Sequence, residues 1–159
     1  MFNKKLAIVG ASGAVGRVFI ELLDEMYPGT KDLFLVASKR SAGRSMFCGK
    51  QEFIIQDIEE FDFSQVEIAF FSAGAETAEK YAPIAVSKGC TVIDNSSQFR
   101  TDSDKPLIVP EVNSKDLENF KLPGIIANPN CSTAQLVVAL KPIHDLFKIE
   151  RVDVASYQS

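Results

Sequence analysis

Hydrophobic positions along the chain fall into two patterns. Short apolar runs of strand length occur at Lys5–Val9 (KLAIV), Leu33–Ala37 (LFLVA), Val66–Gly74 (VEIAFFSAG), Cys90–Asn95 (CTVIDN), Leu107–Pro110 (LIVP) and Gly124–Asn128 (GIIAN). Between the first two, Val15, Val18, Phe19, Leu22 and Leu23 recur at helical spacing and predict a helix that buries this face. A second helix is predicted over Ala75–Gly89, closed by Gly89, with Pro83 inside it; a third, longer one runs from about Ser132 to Phe147. Met46–Gln56 alternates around Gly49-Lys50, the signature of a two-residue hairpin. Arg151–Ser159 (RVDVASYQS) reads as the beginning of another strand.

Strands that alternate with helices, several of them apolar throughout, call for a mostly parallel sheet with helices on both faces. The expected fold class is therefore α/β, doubly wound and Rossmann-like. At 159 residues the chain fits one domain, read here as a dinucleotide-binding domain over 1–159. A net charge of −4 gives no sign of a partner held mainly through nucleic-acid phosphates, so no nucleic acid is expected, and the basic stretch SKRSAGR suits one small anion instead. The apolar runs fall short of the roughly 20 residues that span a bilayer, so no membrane partner is expected. Cys48, Cys90 and Cys131 are odd in number and far apart, and His144 is the single histidine. That argues against a disulfide framework or a zinc site, and for a reducing cytoplasm.

Gly10, Gly13 and Gly16 form a GxxGxxG loop directly after the first strand and before the first helix. The spacing lets backbone approach a pyrophosphate closely while the helix N-terminus supplies oriented N–H groups. NAD-specific folds place Asp or Glu at the end of the second strand to bind the ribose hydroxyls. Here that strand runs into Ser38-Lys39-Arg40-Ser41, with Arg44 close by. Cations and hydroxyls suit a 2′-phosphate, so NADP(H) is the expected cofactor.

Cys131 stands at the junction of the GIIAN strand and the long helix. A cysteine near a helix N-terminus feels the positive end of the dipole, which stabilises a thiolate. Its neighbours Asn128, Asn130, Ser132 and Thr133 are polar, unlike a dry packing site, and Ser132 and Thr133 are suited to serve the first turn's free N–H groups. Cys48 and Cys90 read as buried hydrophobes. His144 lies 13 residues further along the helix, roughly 20 Å away, and reads as a surface residue rather than a base for Cys131.

Together the motifs GASGAVG, ASKRSAG, FSAG, DNSSQFR, VPEVN, NPNCST and the terminal SYQS resemble, in order, the N-terminal half of the aspartate-semialdehyde dehydrogenase family. That resemblance implies NADPH-dependent reduction of L-aspartyl 4-phosphate to aspartate 4-semialdehyde, a step of lysine, threonine and methionine biosynthesis. Cys131 matches the nucleophile that forms a thioester and expels phosphate. Arg100 and Asn130 match phosphate contacts, and Gln158 the glutamine that orients the acyl group. Ser12, Gly13, Ala14 and Val15, with Gly10 and Gly16, match the pyrophosphate loop. Ser38, Arg40 and Ser41 match the 2′-phosphate site, and Ser72, Ala73 and Gly74 the turn near the nicotinamide. Without the resemblance, Arg100 reads as an ordinary surface arginine.

In that family a second, C-terminal domain carries the histidine acid/base, further substrate contacts and most of a homodimer interface. It is not in this chain, so the isolated chain is expected to be inactive. Two alternatives remain beside this reading: an N-acetyl-γ-glutamyl-phosphate reductase-like domain and a non-catalytic NADP-binding module. SSQFR and NPNCST favour aspartate chemistry over the first, and Cys131 weighs against the second.

Overall fold

The computed structural model describes residues 3–157. Seven strands form one sheet in the order β3-β4-β2-β1-β5-β6-β7. They are β1 (Leu6–Val9), β2 (Leu33–Ala37), β3 (Ser45–Cys48), β4 (Gln51–Asp57), β5 (Ile68–Phe71), β6 (Thr91–Asp94) and β7 (Ile125–Ala127). All neighbours pair in parallel except β3 and β4, the hairpin expected around Gly49-Lys50. Gly49 takes the positive φ of 57° that the first residue of a type II′ turn demands.

The helices are α1 (Ala14–Met26), α2 (Ala75–Ser87), α3 (Pro110–Asn113) and α4 (Cys131–Phe147). Alternation along β1 sorts its side chains between two cores. Ala7 and Val9 join Ala78, Ala82 and Ala85 of α2, together with Phe71, Val92 and Ala127. Leu6 and Ile8 join Ile20 and Leu23 of α1, with Leu33, Leu35 and Ile55. The helix face made of alanines lets α2 approach the sheet closely, and Phe61, Phe63 and Phe71 fill the space beside it, with Phe61 edge-on to Phe63 at 5.0 Å. The doubly wound architecture follows, as the apolar patterning required.

Four expectations need correction. In α1 the buried residues are Gly16, Ile20 and Leu23; Phe19 is half-buried, while Val15, Val18 and Leu22 stay about half exposed. The apolar stripe is wider than the sheet surface beneath it, and the seat goes to the side where glycine permits close approach. The predicted strand over 107–110 reduces to one bridge, Leu107 to Ala127, before Pro110 opens α3; proline at a first helical position is pre-shaped for a helix. Residues 151–157 form no strand, since they are exposed and find no neighbouring strand. Finally, α4 begins at Cys131, one residue before the expected Ser132.

Pro83 does not end α2. It is exposed, as is Glu79, whose carbonyl loses its usual helical partner where water can replace it. The long helix α4 packs on α3 and, like α3, buries none of its residues fully.

Candidate active site

The carboxyl ends of β1, β2 and β5 open onto a cavity of about 300 Å³, lined among others by Gly10, Ser12, Gly13, Ser38, Ser72 and Thr77. Three elements distant in sequence meet there because parallel strands share one carboxyl edge. Gly10 leaves β1 with φ of 88°. A Cβ on it would lie 2.6 Å from the Ser72 carbonyl oxygen, so only glycine lets this loop pass beneath the β5–α2 turn. At Gly16 a Cβ would come within 2.9 Å of the Ala11 Cα, which ties α1 against its own loop.

Gly13 caps α1 without any side-chain hydrogen bond. The N–H groups of Ala14, Val15 and Gly16 precede the first intrahelical bond, Arg17 N–H to the Gly13 carbonyl at 3.0 Å. That leaves a cradle of backbone donors at the positive end of a helix, at the mouth of a cavity. A dinucleotide's pyrophosphate fits these residues. Arg17 Nε donates to the Ser12 carbonyl at 3.1 Å and braces the loop from behind.

The turn after β2 is held by Ser41 N–H to the Ser38 carbonyl at 2.8 Å. Ser12 Oγ donates to Ser41 Oγ at 3.1 Å, joining this turn to the glycine loop. Ser41 is buried, while Ser38, Lys39 and Arg40 are exposed beside it. Ser72, Ala73 and Gly74 form the β5–α2 turn, with Gly74 at φ 87°. The calls on Gly10, Ser12, Gly13, Ser38, Ser72 and Ala73 thus converge on one cavity. Thr77, in the first turn of α2, lines it too and carried no signal in the sequence beyond its helical position.

Cys131 is the first residue of α4 and is exposed, whereas Cys48 and Cys90 are buried. Burial pushes the Cys90 thiol up to about 12 and the Cys48 thiol up as well, the latter helped by Asp24. The cap of α4 is Asn130 rather than Ser132 or Thr133. Its Oδ1 accepts from Ser132 N–H at 3.0 Å and from Ser132 Oγ at 2.6 Å, and lies 3.9 Å from the Cys131 sulfur. Asparagine is a better cap than threonine, and its short side chain reaches the second helical N–H. The Nδ2 donors of Asn130 have no partner among the described residues. His144 is exposed on α4, as expected.

Arg100 is half-buried, not an ordinary surface arginine. Its Nε donates to the Asn128 carbonyl and its Nη2 to the Asn95 carbonyl, each at 3.0 Å. Asn128 Nδ2 in turn donates to Asn95 Oδ1 at 2.7 Å. The guanidinium is therefore tethered to the strand end that leads, three residues later, into Cys131. Asn95 went unassigned in the sequence, although it lies inside the DNSSQFR motif. Asp94, fully buried next to it, accepts from Ser96 N–H at 3.1 Å and Ser96 Oγ at 2.7 Å. Burial nonetheless holds its carboxyl above the usual range. Gln158 lies outside the described residues.

No helix among the described residues is long and apolar enough to cross a membrane. Comparison with known proteins gives this geometry a setting. Residues 5–120 match the family model described as semialdehyde dehydrogenase, NAD binding domain. An aspartate-semialdehyde dehydrogenase of Shewanella violacea is 55% identical over 155 residues, 97% of this chain and 46% of that protein. A Vibrio cholerae aspartate semialdehyde dehydrogenase II, solved as a complex with ASA, superposes with a TM-score of 0.89 at 51% identity over 94% of this chain and 49% of that one. A Candida albicans aspartate semialdehyde dehydrogenase solved with NADP gives 0.76 at 31% identity, over 92% of this chain and 48% of that one. The chain spans about half the length of the curated relatives it matches. It belongs to the semialdehyde dehydrogenase family and forms that family's NAD-binding domain, built for a nicotinamide dinucleotide.

Proposed function

We propose that this chain is the cofactor- and nucleophile-bearing half of an aspartate-semialdehyde dehydrogenase acting on L-aspartyl 4-phosphate. One observation carries the reading: Cys131 is exposed at the first position of α4, while Arg100 is anchored to the carbonyl of Asn128 on the same junction. In this role the Cys131 sulfur attacks the acyl carbon, a C–S bond forms, and the C–O bond to phosphate breaks with its electron pair leaving on phosphate. Thiolates suit the step because they attack well and leave again readily. Arg100 keeps N–H donors on Nη1 and Nη2 to hold the leaving phosphate, and the free Nδ2 of Asn130 adds another beside the sulfur. The nicotinamide, when bound, supplies hydride to the acyl group.

The cofactor is read as NADP(H) rather than NAD(H). Supporting this, the turn after β2 holds no carboxylate from Ser38 to Arg44, and exposes Ser38, Lys39 and Arg40. The 2′-phosphate would replace water around these groups. Gln158 is assigned the orienting contact to the acyl group by the resemblance alone. The apolar side chains of α4, among them Ile143 and Leu146, form the face this chain would turn toward the remainder of such a protein and its second subunit.

The test traps the covalent step. The protein at its full natural length, exposed to aspartyl phosphate without dinucleotide, should gain one aspartyl mass on the peptide containing Cys131, labile to hydroxylamine. Cys131→Ser should show no adduct and lose at least about 10³-fold in turnover, with NADPH affinity intact. A Cys131→Ser protein that still turns over at a tenth of the parent rate contradicts the proposal.

A further inference from the structure

We propose that the side-chain pair Asn95–Asn128 is the positioning device for Arg100, and that through it these two residues set the affinity of the site for phosphate. The inference rests on the proposed role of Arg100. It starts from where the sheet ends. The β6–β7 ladder closes at Asp94 opposite Ala127, so Asn95 and Asn128 are the first residues beyond it. Their N–H groups still extend the sheet, Asn95 to the Phe71 carbonyl at 2.9 Å and Asn128 to the Asp94 carbonyl at 2.8 Å. Their carbonyls instead accept from Arg100.

Three hydrogen bonds then close a ring. Arg100 Nε reaches Asn128, the Asn128 side chain reaches Asn95, and the Asn95 carbonyl returns to Arg100 Nη2. Each asparagine gives its backbone to the guanidinium and its side chain to the other asparagine. The 2.7 Å link fixes the separation of the two carbonyls, and that separation fixes where the fork points.

The chemistry of the pair fits an anion site. A guanidinium has five N–H donors; two are spent here, leaving three spread over both terminal nitrogens, enough for a bidentate grip on phosphate. Carboxylates at 95 or 128 would orient Arg100 equally well, yet they would compete with the ligand for its charge. Two neutral amides orient without competing. The nearby Asp94 is buried and turned to Ser96. The loss expected on opening the ring is in phosphate binding, not in the bond-making step at Cys131.

The experiment uses the protein at its full natural length and inorganic phosphate as the varied substrate, in the aldehyde-oxidising direction. Asn95→Ala and Asn128→Ala should each raise the KM for phosphate about tenfold and change kcat by less than about threefold, leaving the KM for dinucleotide unaltered. Because both substitutions open the same ring, the double variant should be no worse than the poorer single one. The Arg100 Nε–H resonance should shift in all three. Should Asn128→Ala fail to fold, Asn95→Ser, too short to reach Asn128, carries the same expectations. Singles that leave the phosphate KM within twofold, or effects that multiply in the double variant, overturn the positioning role. Arg100→Ala separates the two levels. If it too leaves the phosphate KM unchanged, the phosphate role of Arg100 is what fails; if it raises the KM while the asparagine variants do not, only the ring is refuted.

Discussion

Of the helices that start at the carboxyl edge of the sheet, α1 after β1 and α4 after β7 are finished in opposite ways. The first is capped by a glycine that contributes no side chain, and it seats Gly16, Ile20 and Leu23 firmly against the core. Its leading N–H groups receive no side-chain cap. At the second, Asn130 fills the cap with its own Oδ1, and Cys131 follows it into solvent on a helix that buries nothing fully. In the function proposed above, the terminus made of backbone needs rigidity to hold an anion, and the one made of side chains needs only to hold a sulfur outward. A helix N-terminus is thus not one kind of site; what the cap does with the free N–H groups decides its use.

The contrast should be largest in thiol chemistry. At pH 7 iodoacetamide should label Cys131 at least about 10²-fold faster than Cys48 or Cys90, because the latter are buried and their thiols pushed up, Cys90 to about 12. Mass spectrometry of timed digests reads the three rates separately. Comparable rates at all three positions would remove α4 from the argument.

The backbone-built terminus is probed next. Gly10→Ala forces a Cβ to within 2.6 Å of the Ser72 carbonyl from a left-handed φ of 88°. Dinucleotide affinity should fall by about 10²-fold, with a stability loss of about 1–3 kcal/mol in urea unfolding. Gly13→Ala, at φ −75° with its nearest neighbour at 3.2 Å, should cost far less on both counts. At the side-chain-built terminus, Asn130→Ala removes the cap and should destabilise by about 1 kcal/mol, leaving dinucleotide binding unchanged in a fluorescence titration.

How much of this could be read beforehand depended on the range of the interactions. The strands follow from short apolar runs that each segment carries by itself, and the Gly49-Lys50 hairpin from the alternation around its turn residues. The strand expected over 107–110 failed because Pro110 favours a helical first turn, and only one bridge to Ala127 precedes it. On α1, helical spacing nominated a stripe, but the sheet beneath chose Ile20 over Val15 and Val18, a tertiary decision. The cavity was legible through its glycines, yet Thr77 was not, since nothing local marks a threonine that will face a distant loop. Arg100 is the clearest case. Its two anchors lie 5 and 28 residues away, and only folding brings both carbonyls to it.

Asp94 offers the smallest effect and a test of the edge on which both termini stand. Its carboxyl is fully buried; desolvation raises it above the ordinary 3.8, and the hydrogen bonds from Ser96, with the charge of Arg100, offset this only in part. A carboxyl raised in the folded state binds its proton more tightly there than in the unfolded chain. The stability this contributes is complete below the unfolded value and is lost as pH rises through the folded one. Asp94→Asn keeps an acceptor for Ser96 N–H and has no proton to lose. Urea midpoints followed from pH 4 to pH 8 should therefore show the parent losing ground to Asp94→Asn as pH rises, most steeply just above the ordinary carboxyl range. A parent that gains on the variant over that interval would mean that the Ser96 and Arg100 interactions outweigh burial. Arg100 would then face a full negative charge from inside the sheet, and its donors would be less free for phosphate than the uncapped N–H groups of α1 are for a dinucleotide.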